Sequence, residues 1–349
     1  MTLSISPAAI AEDQAIEEKL LEQPTRTLRV RHLTRCTYEN PVTSALHLLR
    51  LRPIQDRIQT LLAHTLTVTP DASRRHFEEA FGNIACRCQI SNPHQDLTIE
   101  ADSLVEIRST DPFEAFTPDY RMQFPIKWMP WERRMLEPYL EPLELPEAQL
   151  SQLYHFAHDL AQKNSWDVAE TLFALNLMIF REFEYKPGST TLDTTPFDVY
   201  TNRQGVCQDF ANFFICLTRL LELPSRYVCG YVLPRSDKEV DPVSQATHAW
   251  IEVYLPQVGW KGFDPTNGCL PTVDHVRVAH GRHFRDATPI TGWLEPAVKQ
   301  EMHVEVLVEV VGENQSLKGS DERPASTTSE APNPSSDNKG VPQSVAVSS

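Results

Sequence analysis

Three side chains stand where acyl chemistry needs them. Cys207 follows Gly205–Val206 at the expected start of a helix. His248 lies 41 residues further on, where Thr247–Trp250 opens a strand, and Asp264 follows after another 16, within Phe263–Pro265 at the end of the next strand. A helix start offers unpaired N–H groups and the positive end of the dipole, and both favour a thiolate. A histidine beside that thiol takes or returns its proton. A carboxylate fixes the ring's tautomer and stabilises its charged form. The Cys207 N–H is an oxyanion donor in waiting. Gly205 is read as permitting a sharp backbone turn into the helix.

These side chains need a helix and two neighbouring strands to meet. The pattern predicts a helix over 206–221, stopped by Leu223–Pro224. The period then changes to two. A strand is expected over 226–233. Ala249, Ile251, Val253 and Leu255 alternate with Trp250, Glu252 and Tyr254, and a turn at 257–259 leads into a strand over 260–264. A helix packed on an antiparallel sheet is an α+β core. Two helices precede it. One carries Leu150, Leu153, Tyr154 and Leu160. The other begins after Ser165, read as its N-cap, and carries Val168, Leu172, Leu175 and Phe180.

The rest of the chain divides by composition. Residues 1–25 read as a flexible acidic arm, helical over 11–22. Residues 26–110 read as a β-rich N-terminal domain, with strands within 27–34, 65–69, 83–90 and 97–107. Cys86 and Cys88 fall on one face of such a strand, which suits a buried sheet face better than a metal. Prolines crowd 111–149, an extended connection that Trp128 and Trp131 anchor. Residues 150–311 form the second domain, closed by a strand over 301–311. The serine- and proline-rich tail, 312–349, lacks aromatics and reads as disordered.

The 349 residues suffice for about two domains. A net charge of −15 argues against nucleic-acid and basic membrane-surface partners. No run of 18 apolar residues occurs, and the N-terminus lacks a secretory pattern. Seven cysteines without a CxxC pair read as reduced thiols in a cytoplasmic protein.

Four phrases resemble the bacterial transglutaminase-like superfamily, a branch of the papain-like cysteine enzymes: GVCQDFA (205–211), RYVCGYV (226–232), THAWIEVYLPQVGWKGFDPTNG (247–268) and HVRVAHGR (275–282). TYENPV (37–42) and FGN (81–83) resemble the β-rich domain that precedes this core in many bacterial members. The resemblance implies a papain-like α+β core, with Cys207 as nucleophile, His248 as general base and acid, and Asp264 as orienting carboxylate. Many relatives have His where this chain has Asn212, and GRDY where it has Gly281–Arg282–His283–Phe284. No DxDxDG pattern suggests calcium, and no cofactor is implied.

Other residues have plainer readings. Cys216 and Trp260 suit the core, and Cys229 lies within a strand. Cys269 follows the third strand, and an approach to the site is its less favoured reading. Gln208, Trp250 and Tyr254 are candidates for the substrate groove, with sheet packing equally suited to Trp250 and Tyr254. Asp209 is expected to serve the helix start and point away from the thiol. His275, His280 and His283 lack a recognised zinc spacing.

The expected activity is hydrolysis of an amide or peptide bond through a thioester. The partner would be a peptide, protein or amide-containing small molecule. Transfer to an amine shares the same first step and is the alternative. A non-catalytic peptide-binding module is the third reading, and the intact Cys, His and Asp count against it.

Overall fold

The computed structural model describes residues 25–109, 121–191, 193–234 and 247–312. All but the last residue of the acidic arm, the first part of the proline-rich connection and all but the first residue of the tail lie outside them.

The N-terminal block begins with β1 (Thr25–Val42), β2 (Ser44–Leu49), β3 (Gln59–Thr69), β4 (Ser73–Glu78), β5 (Ile84–Ile90) and β6 (His94–Arg108). In β1 every second residue from Leu28 to Tyr38 is buried, so the two-residue period sets one face inward. The strand is far longer than its expected 27–34, and β2 and β4 were not foreseen.

The helical layer contains α1 (Pro130–Leu136), α2 (Glu147–Lys163), α3 (Val168–Glu182), α4 (Pro196–Asn202) and α5 (Cys207–Leu220). The proline-rich segment therefore contains a helix, with Pro130 at its first position, where a missing N–H costs nothing. Trp128 anchors the segment through its indole N–H to the Glu222 carbonyl at 3.1 Å. Trp131 does not, being 56% exposed. Ser165 is not the N-cap of α3. Ser165 and Trp166 take φ of 55° and 61° to reverse the chain, and Asp167 caps instead, accepting from the Glu170 N–H at 3.0 Å.

Two short strands, β7 (Glu184–Tyr185) and β8 (Gln204–Gly205), pair in parallel just before α5. The chain then forms β9 (Ser225–Val232), β10 (His248–Leu255), β11 (Gly259–Phe263), β12 (His275–Gly281), α6 (Phe284–Ala287), β13 (Ile290–Glu295) and β14 (Gln300–Val310). The central sheet runs β11-β10-β9-β12, antiparallel throughout.

The last two strands correct the expected domain division. β14 pairs with β1 in a sheet ordered β14-β1-β6-β3, and β13 pairs with β2 in one ordered β13-β2-β5-β4. The chain thus returns to the N-terminal block after β12. Alternation shows that a strand exists but does not name a partner some 270 residues away.

Three apolar clusters hold these layers. The largest packs the helices on the central sheet and includes Phe210, Phe213, Phe214, Ile215 and Leu217 of α5. Burying each such side chain contributes about 1.5–3 kcal/mol, so the helix carrying Cys207 is firmly seated. A second cluster fills the space between the two N-terminal sheets. In the third, Leu28, Val30, Val105 and Ile107 pack against Tyr231, Val276 and Val278. The central sheet is therefore covered by helices and by the N-terminal block.

Candidate active site

Cys207 is the first residue of α5, and Val206 before it is extended, with φ −115° and ψ 179°. Val cannot cap with its side chain. Asp209 compensates: its Oδ2 accepts from the Val206 N–H at 2.8 Å and the Thr190 hydroxyl at 2.7 Å. It faces the helix start, as expected. Burial pushes its carboxyl up, against these two bonds. Gly205 is required by space rather than by a left-handed turn. A Cβ there would lie 2.9 Å from Cβ of Asp209 and 3.3 Å from the Phe210 ring.

His248 opens β10, and Asp264 directly follows β11. The strand pairing sets Ile251 opposite Phe263, which brings both residues to one end of the sheet. His248 Nε2 lies 2.8 Å from Asp264 Oδ2, and Cys207 is hydrogen-bonded to the same imidazole. With Nε2 turned to the carboxylate, Nδ1 is the ring nitrogen left for the sulfur. Burial opposes the imidazolium, but Asp264 and Cys207 outweigh it and push His248 up to about 10. The site thus favours a charged imidazolium flanked by a carboxylate and a sulfur.

Asp264 is fully buried and saturated with donors. Oδ1 accepts from the N–H groups of Thr266 and Asn267, each at 3.1 Å. Oδ2 accepts from Asn267 Nδ2 at 2.8 Å and His275 Nε2 at 3.2 Å, besides His248. Burial alone would raise this carboxyl; His248 and His275 instead hold it well below the usual range. Asn267 and His275 were not expected here. The signal for Asn267 was the DPTNG turn, in which an aspartate accepts from N–H groups two and three residues on.

Cys269 does approach the site, because its backbone bridges back to Asp264. Its sulfur, an Asp264 oxygen and a His275 nitrogen lie within 4.8 Å of one another, compact enough to suggest a metal. The hydrogen bonds favour another reading. The Thr272 N–H donates to His275 Nδ1 at 3.2 Å, so Nδ1 is bare and Nε2 carries the proton. A metal on Nε2 would need the opposite tautomer. The three histidines considered together in sequence serve separate ends. His280 exchanges backbone bonds with the Asn83 side chain, and His283 caps α6 by accepting from the Arg285 N–H.

The groove candidates separate. Gln208 is buried in the first turn of α5. Trp250 is fully buried beneath the site, stacked on His248 with centroids 5.9 Å apart at 29°. It supports the imidazole and does not line a groove. Tyr254 lies six residues along β10 from His248, against Trp128 and Trp260. At about 3.3 Å per residue it stands some 20 Å from the imidazole. Access is narrow: Cys207 is 2% exposed and the His248 side chain 15%.

Comparison with known proteins identifies the family. Residues 28–106 match the bacterial transglutaminase-like N-terminal region, and residues 154–265 match the transglutaminase-like superfamily core. An uncharacterised Mycobacterium tuberculosis protein is 32% identical over 304 residues, covering 82% of this chain and 93% of the relative. The chain belongs to the transglutaminase-like superfamily.

Within that superfamily, the fold matches a solved structure of a proposed cysteine protease from Cytophaga hutchinsonii. The TM-score is 0.64 at 21% identity, covering 84% of this chain and 93% of that one. A protein-glutamine gamma-glutamyltransferase of Pseudomonas aeruginosa is 26% identical over 156 residues, 40% of this chain and 23% of its own. This transglutaminase-like chain carries the superfamily's α+β core behind a β-rich N-terminal region. None of its seven cysteines is in a disulfide.

Proposed function

We propose that this protein is a transglutaminase-like cysteine enzyme that cleaves an amide or peptide bond through a thioester on Cys207. One observation carries the reading: His248 is hydrogen-bonded to both Cys207 and the buried Asp264 carboxylate. The Cys207 thiolate attacks the carbonyl carbon, and the N–H groups at the start of α5 face the developing oxyanion. The C–N bond breaks, and the His248 proton passes to the departing amine. Water then adds to the thioester. His248 takes a proton from it, the C–S bond breaks, and a carboxylic acid leaves. Asp264 holds the ring in place throughout and stays ionised.

Transfer to an amine is the second reading, because the first half-reaction is the same. The likeness to the Pseudomonas aeruginosa gamma-glutamyltransferase supports it.

The test is to trap the acyl-enzyme from a cell extract and identify by mass spectrometry the group attached to Cys207. An acyl adduct on Cys207, absent from Cys207→Ala, is expected. Adducts spread over other thiols, or none on Cys207, would overturn the reading.

A further inference from the structure

We propose that His275 is a positioning residue for the triad. Its Nε2–H holds Oδ2 of Asp264 in the orientation that pairs with His248, and the N-terminal block holds His275 in place. The role rests on the reading of Cys207, His248 and Asp264 as catalytic.

The hydrogen bonds define the tautomer. The Thr272 N–H occupies Nδ1 at 3.2 Å, so the ring proton sits on Nε2 and is donated to Asp264 Oδ2 at 3.2 Å. The ring is buried and edge-on to Trp250, with centroids 5.4 Å apart at 82°. Trp250 in turn stacks on His248. One indole thus spaces the two imidazoles that share one carboxylate oxygen. The Thr266 and Asn267 N–H groups fix Oδ1, and around Oδ2 His275 supplies the donor from the β12 side, opposing His248 and Asn267 Nδ2.

His275 opens β12, and that strand is pinned from the N-terminal side. Arg26 pairs with Asp274, the residue before His275. Gln59 donates to the Arg277 carbonyl and accepts from the Arg277 N–H, both at 2.8 Å. Val276 and Val278 pack against Leu28, Val30, Val105 and Ile107. The N-terminal block therefore reaches the triad through one strand, without touching substrate. The titratable groups nearby include Cys207 and Asp264 around His248, Asp264 and Cys269 around His275, and Tyr185, Tyr227 and Cys229 close enough to Cys207 to feel its charge.

Two measurements on the full chain test this. The first is nitrogen-15 NMR of the imidazoles, with His275 assigned by its loss in His275→Gln. The Nε2–H tautomer is expected at neutral pH; the Nδ1–H tautomer overturns the proposal whatever the protein does. The second is the pH profile of Cys207 alkylation by iodoacetamide in His275→Gln, which keeps an N–H at the same reach, and His275→Leu, which removes it. The Leu variant should lower the alkaline limb by at least about one pH unit, with Gln restoring it. His275→Asn, whose amide is too short, replaces Leu if that variant fails to fold. An unchanged or raised limb without the donor overturns the role, even if the melting temperature falls. Slow alkylation of Cys207 in the wild type would instead count against the proposed function, and the tautomer would still decide His275.

Discussion

His248 Nε2 and Asp264 Oδ2 lie 2.8 Å apart, with the carboxylate buried and the imidazole at the mouth of the site. The pairing has a pH signature of definite sign. His248 is raised to about 10, so its contribution to stability is full below about pH 6.5 and fades as pH climbs towards 10. Asp264 is lowered, so its contribution is present above the ordinary carboxylate range and is lost on acidification. The melting temperature should fall on both sides of a mildly acidic plateau, and His248→Gln should flatten the alkaline fall. An alkaline fall of equal size in that variant would show that His248 is not its source.

Asp264→Asn should cost on the order of 10³–10⁴-fold in turnover, the size expected when a triad carboxylate becomes an amide. The new NH2 must face at least one of five donors now satisfied by the carboxylate, so the melting temperature should drop as well. Steady-state rates and calorimetry on the same preparation check both effects. Near-normal turnover would remove Asp264 from the mechanism.

Gly230 sits opposite His248 on β9, and a Cβ there would lie 2.0 Å from the Val276 carbonyl and 2.6 Å from the Trp250 ring. Gly230→Ala must therefore displace β12 or the indole beneath His248. The expected cost is at least about 1–3 kcal/mol in denaturant titration, with slower alkylation of Cys207. Unchanged stability would show that the sheet absorbs a methyl group here.

Added primary amines separate the two fates of the thioester. Hydrolysis as the main path predicts a carboxylic acid product even at high amine concentration, whereas transfer predicts a new amide that grows with amine. Product analysis by mass spectrometry reads the ratio directly.

The Cys207–His248–Asp264 cluster was legible because each member is announced by local pattern. A helix start, a strand start and a strand end are written in the residues around Cys207, His248 and Asp264. The members that stayed silent depend on long-range pairing. His275 reaches Asp264 only through the register of β12 on β9, and β14 finds β1 across nearly the whole chain. Tyr254 and Trp250 show the converse limit. Strand alternation put them on one face, but Tyr254 lies roughly 20 Å along β10 from His248, and the depth of the sheet buries Trp250. Ser165 failed as a cap because it and Trp166 both take left-handed φ values, which no propensity for serine foretells.

The most direct test is competitive alkylation with limiting iodoacetamide near neutral pH, resolved by peptide mass spectrometry. Cys86 is the demanding control, because the Cys88 sulfur at 3.5 Å favours a thiolate there without any histidine–aspartate pair. The account predicts that Cys207 is modified first, and that His248→Gln removes its lead. Modification of Cys86 ahead of Cys207, or equal labelling of all thiols, would contradict it.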